Sequence, residues 1–182
     1  MKRVLISVFL AAAVTAAAQT PYKVIVPAEP QCEGMVAKLY NYDTQTLLDS
    51  VYVRDLAARF DGMIDESVLA FVKVGGKTMH TFVLEPGTVS FTKTGAPFGT
   101  MLNDEMREYD KRAQALRNDY GRYNALVDSM LEANSDNALG YYVFIKDGLG
   151  GKPVRLRTRA LIKKYPDFAA GIRAKKMMGV KK

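Results

Sequence analysis

Cysteine, histidine and tryptophan are almost missing from this 182-residue chain, which holds one Cys, one His and no Trp. With Cys32 alone, no intrachain disulfide can form and a Cys-x-x-Cys redox pair is excluded. One His and one Cys cannot supply the repeated ligands of a structural zinc site. A serine nucleophile would have to take its base from His80, and none of Ser50, Ser67, Ser90, Ser129 or Ser135 sits in a nucleophile-elbow context. Gly148-Leu149-Gly150-Gly151-Lys152 fails as a phosphate loop, because Pro153 stands where Ser or Thr is needed and Lys146 where a glycine is. It lacks the third glycine of a dinucleotide fingerprint as well. Asp61, Asp65 and Glu66 could touch a cation but lack the spacing of a calcium loop. The sequence therefore predicts no catalytic residue, no metal ligand and no cofactor.

What is present begins with a leader. Lys2 and Arg3 precede an apolar stretch from Val4 to Val14, and Ala16-Ala17-Ala18 offers small residues before Gln19. This is the pattern of a signal peptide over residues 1–18, cleaved after Ala18. The stretch is shorter than the roughly 20 residues of a membrane span. It predicts an exported, periplasmic protein. The net charge of +7 divides unevenly. From Lys152 onward there are 11 Lys or Arg and a single acid, Asp167, whereas Gln19 to Gly151 holds 13 basic and 18 acidic residues. An acidic body with a basic tail points to surface contacts rather than to chemistry.

Period-2 alternation marks the first half, residues 19–98, as β-rich. Met35 to Tyr40, Leu48 to Arg54, Val68 to Val74, Lys77 to Leu84 and Val89 to Thr92 alternate, and Tyr22 to Val26 adds another run. Gly75-Gly76 predicts a type I′ hairpin and Glu85-Pro86-Gly87-Thr88 a type II turn. These give six or seven strands in an antiparallel sheet, forming a sandwich or partial barrel. A helical hairpin follows over residues 99–151. Leu102, Met106, Tyr109, Ala113, Leu116, Tyr120, Tyr123, Val127 and Met130 recur at alternating spacings of four and three, the seam of one long amphipathic helix. Thr100 suits its N-cap, and Gly121 marks a place where it can break. Packing back onto the sheet is favoured over a coiled-coil dimer, since Ala and Tyr make weak core positions. Residues 152–182 form a basic tail with one or two short helices about Pro166. The fold class is α+β.

Phe82-Val-Leu-Glu-Pro-Gly-Thr-Val-Ser-Phe91, then Gly99-Thr100-Met-Leu-Asn103-Asp104, then Asn134-Ser-Asp-Asn-Ala-Leu-Gly-Tyr141, follow one another in an order that resembles domain of unknown function 4369. The resemblance covers roughly Tyr22 to Tyr165, and only Ala58-Arg59-Phe60-Asp61-Gly62 meets the family's Gly-x-Phe-x-Phe strand loosely. That family precedes a thioredoxin-like domain in exported thiol-disulfide oxidoreductases of Bacteroidetes. The resemblance implies an accessory or docking role in the cell envelope. It does not bring redox activity, because this sequence has no Cys-x-x-Cys.

The expected function is thus non-catalytic binding of an envelope partner, either a thioredoxin-like enzyme or a second copy. The alternative is a degenerate or split oxidoreductase component acting through Cys32 as an intermolecular thiol. No basic residue nearer than Lys38 lies close in sequence to activate that thiol, so a partly buried, unpaired cysteine is the simpler expectation. His80 reads as structural. The tail, with Leu161, Phe168, Ile172 and Met177 among its cations, could lie on an anionic membrane surface. Nucleic acid would suit its charge but not an exported protein.

Overall fold

A computed structural model describes residues 19–149 and 155–179. The leader, most of the glycine-rich breaker and the last three residues lie outside the described residues. No described helix is long and apolar enough to cross a membrane.

Strands precede helices, as the α+β expectation requires. The strands are β1 (Thr20–Pro27), β2 (Val36–Asn41), β3 (Leu47–Tyr52), β4 (Ala57–Ile64), β5 (Val68–Val74), β6 (Lys77–Leu84), β7 (Gly87–Phe91) and β8 (Pro97–Phe98). They form two sheets of four, sheet A in the order β4-β1-β7-β8 and sheet B in the order β3-β2-β5-β6. Eight strands replace the expected six or seven. Sheet A is not wholly antiparallel either, since β1 and β7 run parallel with Val24 opposite Val89. The reason lies in the Glu85-Pro86-Gly87 turn, which carries the chain from the edge of sheet B to the flank of β1. Gly75 and Gly76 take φ values of +55° and +85°, the left-handed pair that a two-residue hairpin needs.

The two sheets pack face to face through Tyr22, Val24 and Val26 of β1, Phe60 of β4 and Val89 of β7. Opposite them lie Leu39 of β2, Val72 of β5 and Phe82 of β6. Successive side chains on a strand point to opposite faces. Leu69 and Val83 therefore face the other way, into a second core made with the helices. The result is three layers with sheet B in the middle. This explains why β5 reads Val-Leu-Ala-Phe-Val with no polar alternation: Leu69 to Val72 are buried on both faces, and only Lys73 beyond them reaches solvent.

The helical layer comprises α1 (Met101–Ala115), α2 (Tyr120–Ala133), α3 (Ala138–Val143) continued by a π-helical turn (Phe144–Leu149), then α4 (Arg155–Lys164), α5 (Pro166–Ala170) and α6 (Ile172–Met177). The single long helix expected from the seam is in fact two. The break falls at Leu116 to Asp119, ahead of Gly121, because the Asp119 carboxylate accepts the Arg122 N–H at 3.1 Å and starts a new helix. The seam residues pack inward as expected, from Leu102 and Met106 to Val127 and Met130, except Tyr120, which is exposed where α2 begins. Asn134 closes α2, and the Asn137 side chain caps α3 through Leu139 and Gly140. The basic tail holds three helices rather than one or two. Leu161, Tyr165, Phe168 and Ala174 are buried in the same core as α1 to α3, while Ile172 and Met177 stay exposed.

Candidate interaction surface

Cys32 ends a short 3-10 turn (Pro30–Cys32), is half-buried, and packs against the sandwich core. Its carbonyl accepts the Met35 N–H at 3.0 Å, which positions the start of β2. His80 stacks on Phe91 with ring centroids 4.7 Å apart, and burial lowers the imidazole pKa from its ordinary 6.5. The structure does not bring these two residues together with any acid-base partner. Asp61 pairs with Lys23 at 3.3 Å. Among the described residues no three His, Cys, Asp or Glu side chains converge as a metal site would require.

The motif residues that carry the family resemblance build a junction. One oxygen of the buried Glu85 carboxylate accepts the Thr100 hydroxyl (2.7 Å), the Leu102 N–H (2.9 Å) and the Asn103 N–H (3.2 Å). Thr100 stands at the N-cap but does not cap with its own side chain. Glu85 does so from the end of β6, where a negative charge is favoured by the helix dipole. Asn103, fully buried, accepts the Val83 N–H at 3.0 Å and donates to the Val83 carbonyl at 2.6 Å. Its amide thus takes the place of a neighbouring strand on the edge of β6.

Two further polar networks lock the helices. Asp147, on the π-helical turn, accepts the hydroxyls of Tyr109 and Tyr123, each at 2.5 Å. Asp110 accepts Tyr142 at 2.9 Å and Lys146 at 2.6 Å. Burial first, then the adjoining carboxylates, push the pKa of Tyr109, Tyr123 and Tyr142 well above that of a free phenol. These hydroxyls stay protonated and serve as donors. A third link joins layers: Asp43, in the turn after β2, accepts the Tyr141 hydroxyl and the N–H groups of Ile172 (3.1 Å) and Arg173 (2.8 Å). A cleft of about 270 Å³ beside it is lined by Asp43, Glu66, Asp136 and Asp167. Nothing in this set forms a nucleophile with a base.

What remains open is the half of sheet B that the helices leave bare. On its outer face the cross-strand rows run Tyr52–Val36, Ser50–Lys38–Lys73 and Leu47–Tyr40–Phe71. Tyr52 is 60% exposed, Leu47 53% and Val36 40%. Tyr40 stacks on Phe71 at 5.2 Å, and the Lys73 ammonium lies over both rings. Strand β3 bounds this face as a sheet edge, paired only with β2. Sequence reasoning missed the surface. Its only signal was the even-numbered run Val36, Lys38, Tyr40, which reads as an ordinary solvent face until its neighbours are known. No model of a known protein family matches the chain, and no curated protein or solved structure does.

Proposed function

We propose that this chain is a non-catalytic, partner-binding module of the cell envelope, of the accessory kind that precedes thioredoxin-like domains in exported thiol-disulfide oxidoreductases. The observation that carries this reading is the bare half of sheet B, where Tyr52 and Val36 are exposed as cross-strand neighbours and Leu47 is exposed at the other end of β3, beyond the Ser50–Lys38 row. Clustered apolar residues bounded by polar ones mark binding surfaces, whereas single exposed ones do not. An edge strand adds the means of main-chain pairing. The leader-like residues 1–18 and the ordered motifs from Phe82 to Tyr141 support the envelope setting.

Site-specific photocrosslinking in the native host tests it. A benzophenone amino acid replacing Tyr52 or Leu47 is expected to yield a discrete adduct, and the same probe at Tyr120, equally exposed but on the helical layer, is not. No adduct at either sheet position overturns the reading. Thiol exchange through Cys32 is the competing reading, favoured by the closeness of that turn to Met35 and Val36. Cys32→Ser leaves the adduct intact under the first reading and abolishes it under the second.

A further inference from the structure

Lys38 and Lys73 stand directly opposite each other on β2 and β5. Like charges so placed destabilise a strand pair, and proteins commonly relieve them with a nearby acid. Here neither lysine has an ion-pair partner among the described residues. The residues around them on the bare face are Val36, Tyr40, Ser50, Tyr52, Phe71 and Thr78, with no carboxylate in the set. This is a local reversal of sign, because the body of the chain from Gln19 to Gly151 carries 18 acidic residues against 13 basic.

Resting on the partner-binding reading, we propose that the bare face of sheet B binds an acidic, extended protein segment, laid across the outer face of β3 and β2 with its carboxylates toward Lys38 and Lys73 and its apolar side chains on Val36 and Tyr52. Charge complementarity selects this occupant. The Lys73 ammonium lies over the Tyr40 and Phe71 rings and Lys38 is exposed in the same row, so the face offers an anion two cations and no carboxylate of its own. A second copy of the chain fits less well, since the equivalent face would set its own Lys38 and Lys73 against this pair. The Asp49 carboxylate sets a condition. It accepts the Ser50 N–H at 2.6 Å on the open edge, so the segment sits over the face of β3 rather than pairing with that N–H.

The test uses the mature protein and two fluorescent synthetic peptides, one alternating Glu with Val and one alternating Lys with Val. Anisotropy titrations are run at low and high salt, and amide chemical shifts locate the site. The Glu peptide is expected to bind, to weaken as salt rises, and to shift β2 and β3 amides. Lys38→Glu/Lys73→Glu is expected to lower its affinity about tenfold or more. Equal affinity for wild type and variant, shifts confined to α4 or α6, or equal binding of the Lys peptide would each overturn the inference. Photocrosslinking separates the two levels. An adduct from Tyr52 that persists in the double variant sinks the acidic partner and keeps the binding surface, whereas loss of the adduct in a variant with unchanged circular dichroism supports both.

Discussion

Asn103 shows how much one side chain can hold. Its amide satisfies both backbone groups of Val83 from a fully buried position. Asn103→Ala leaves that N–H and C=O in an apolar setting, and is expected to destabilise the fold by about 3 kcal/mol in urea unfolding. A loss below about 1 kcal/mol would mean that water or a shifted strand replaces the amide. His80 gives a pH signature. Its folded-state pKa lies below the ordinary 6.5 because burial disfavours the charged ring. The unfolded chain therefore takes up the proton first. The stability tied to neutral His80 is full above about pH 6.5 and is lost as pH falls toward the lowered folded value. Unfolding curves of His80→Phe are expected to vary less with pH across that window than those of the wild type.

At the level of elements, the close approaches are as informative as the bonds. A Cβ on Gly140 would sit 1.8 Å from the Asn134 carbonyl oxygen and 2.9 Å from the Phe168 ring. Gly140→Ala therefore forces α2, α3 and α5 apart, with an expected cost of about 3 kcal/mol, seen as a lowered melting temperature and faster amide exchange in α5. The legibility of the elements follows from how local their causes are. The Gly75-Gly76 hairpin was readable because turn and flanking alternation lie within a few residues. Strand β4 was not, since Ala57, Ala58 and Gly62 carry little apolar weight, and Gly62 is small because the Tyr22 ring packs over it from β1. The seam from Leu102 to Met130 is a buried face apart from Tyr120, but it belongs to two helices whose break precedes the expected place at Gly121. Its spacing runs through Leu116 and Tyr120 without registering the Asp119 cap. The interaction surface was illegible for a related reason: whether Val36 and Tyr52 are bare depends on where helices that begin 49 residues or more further along the chain come to rest.

For the whole molecule, the decisive feature is that both hydrophobic cores share sheet B. Leu69 and Val83 belong to one, Ala70, Val72 and Phe82 to the other, on the same two strands. Neither core can open without exposing a face of β5. Helix and sandwich are thus expected to unfold together, and Leu131→Ala in the helical core is expected to speed amide exchange at Val24 and Val26 in β1 as much as in α2. Exchange that rises in α2 alone would show two independent units. The Asn103 amide on β6 also gives sheet B a polarity. One margin is held at Val83 by the protein's own side chain, while the other, at β3, carries no such clasp among the described residues. A strand arriving at β6 would have to evict a buried amide where one arriving at β3 would not, so the two margins of the sheet differ in how readily they accept a guest.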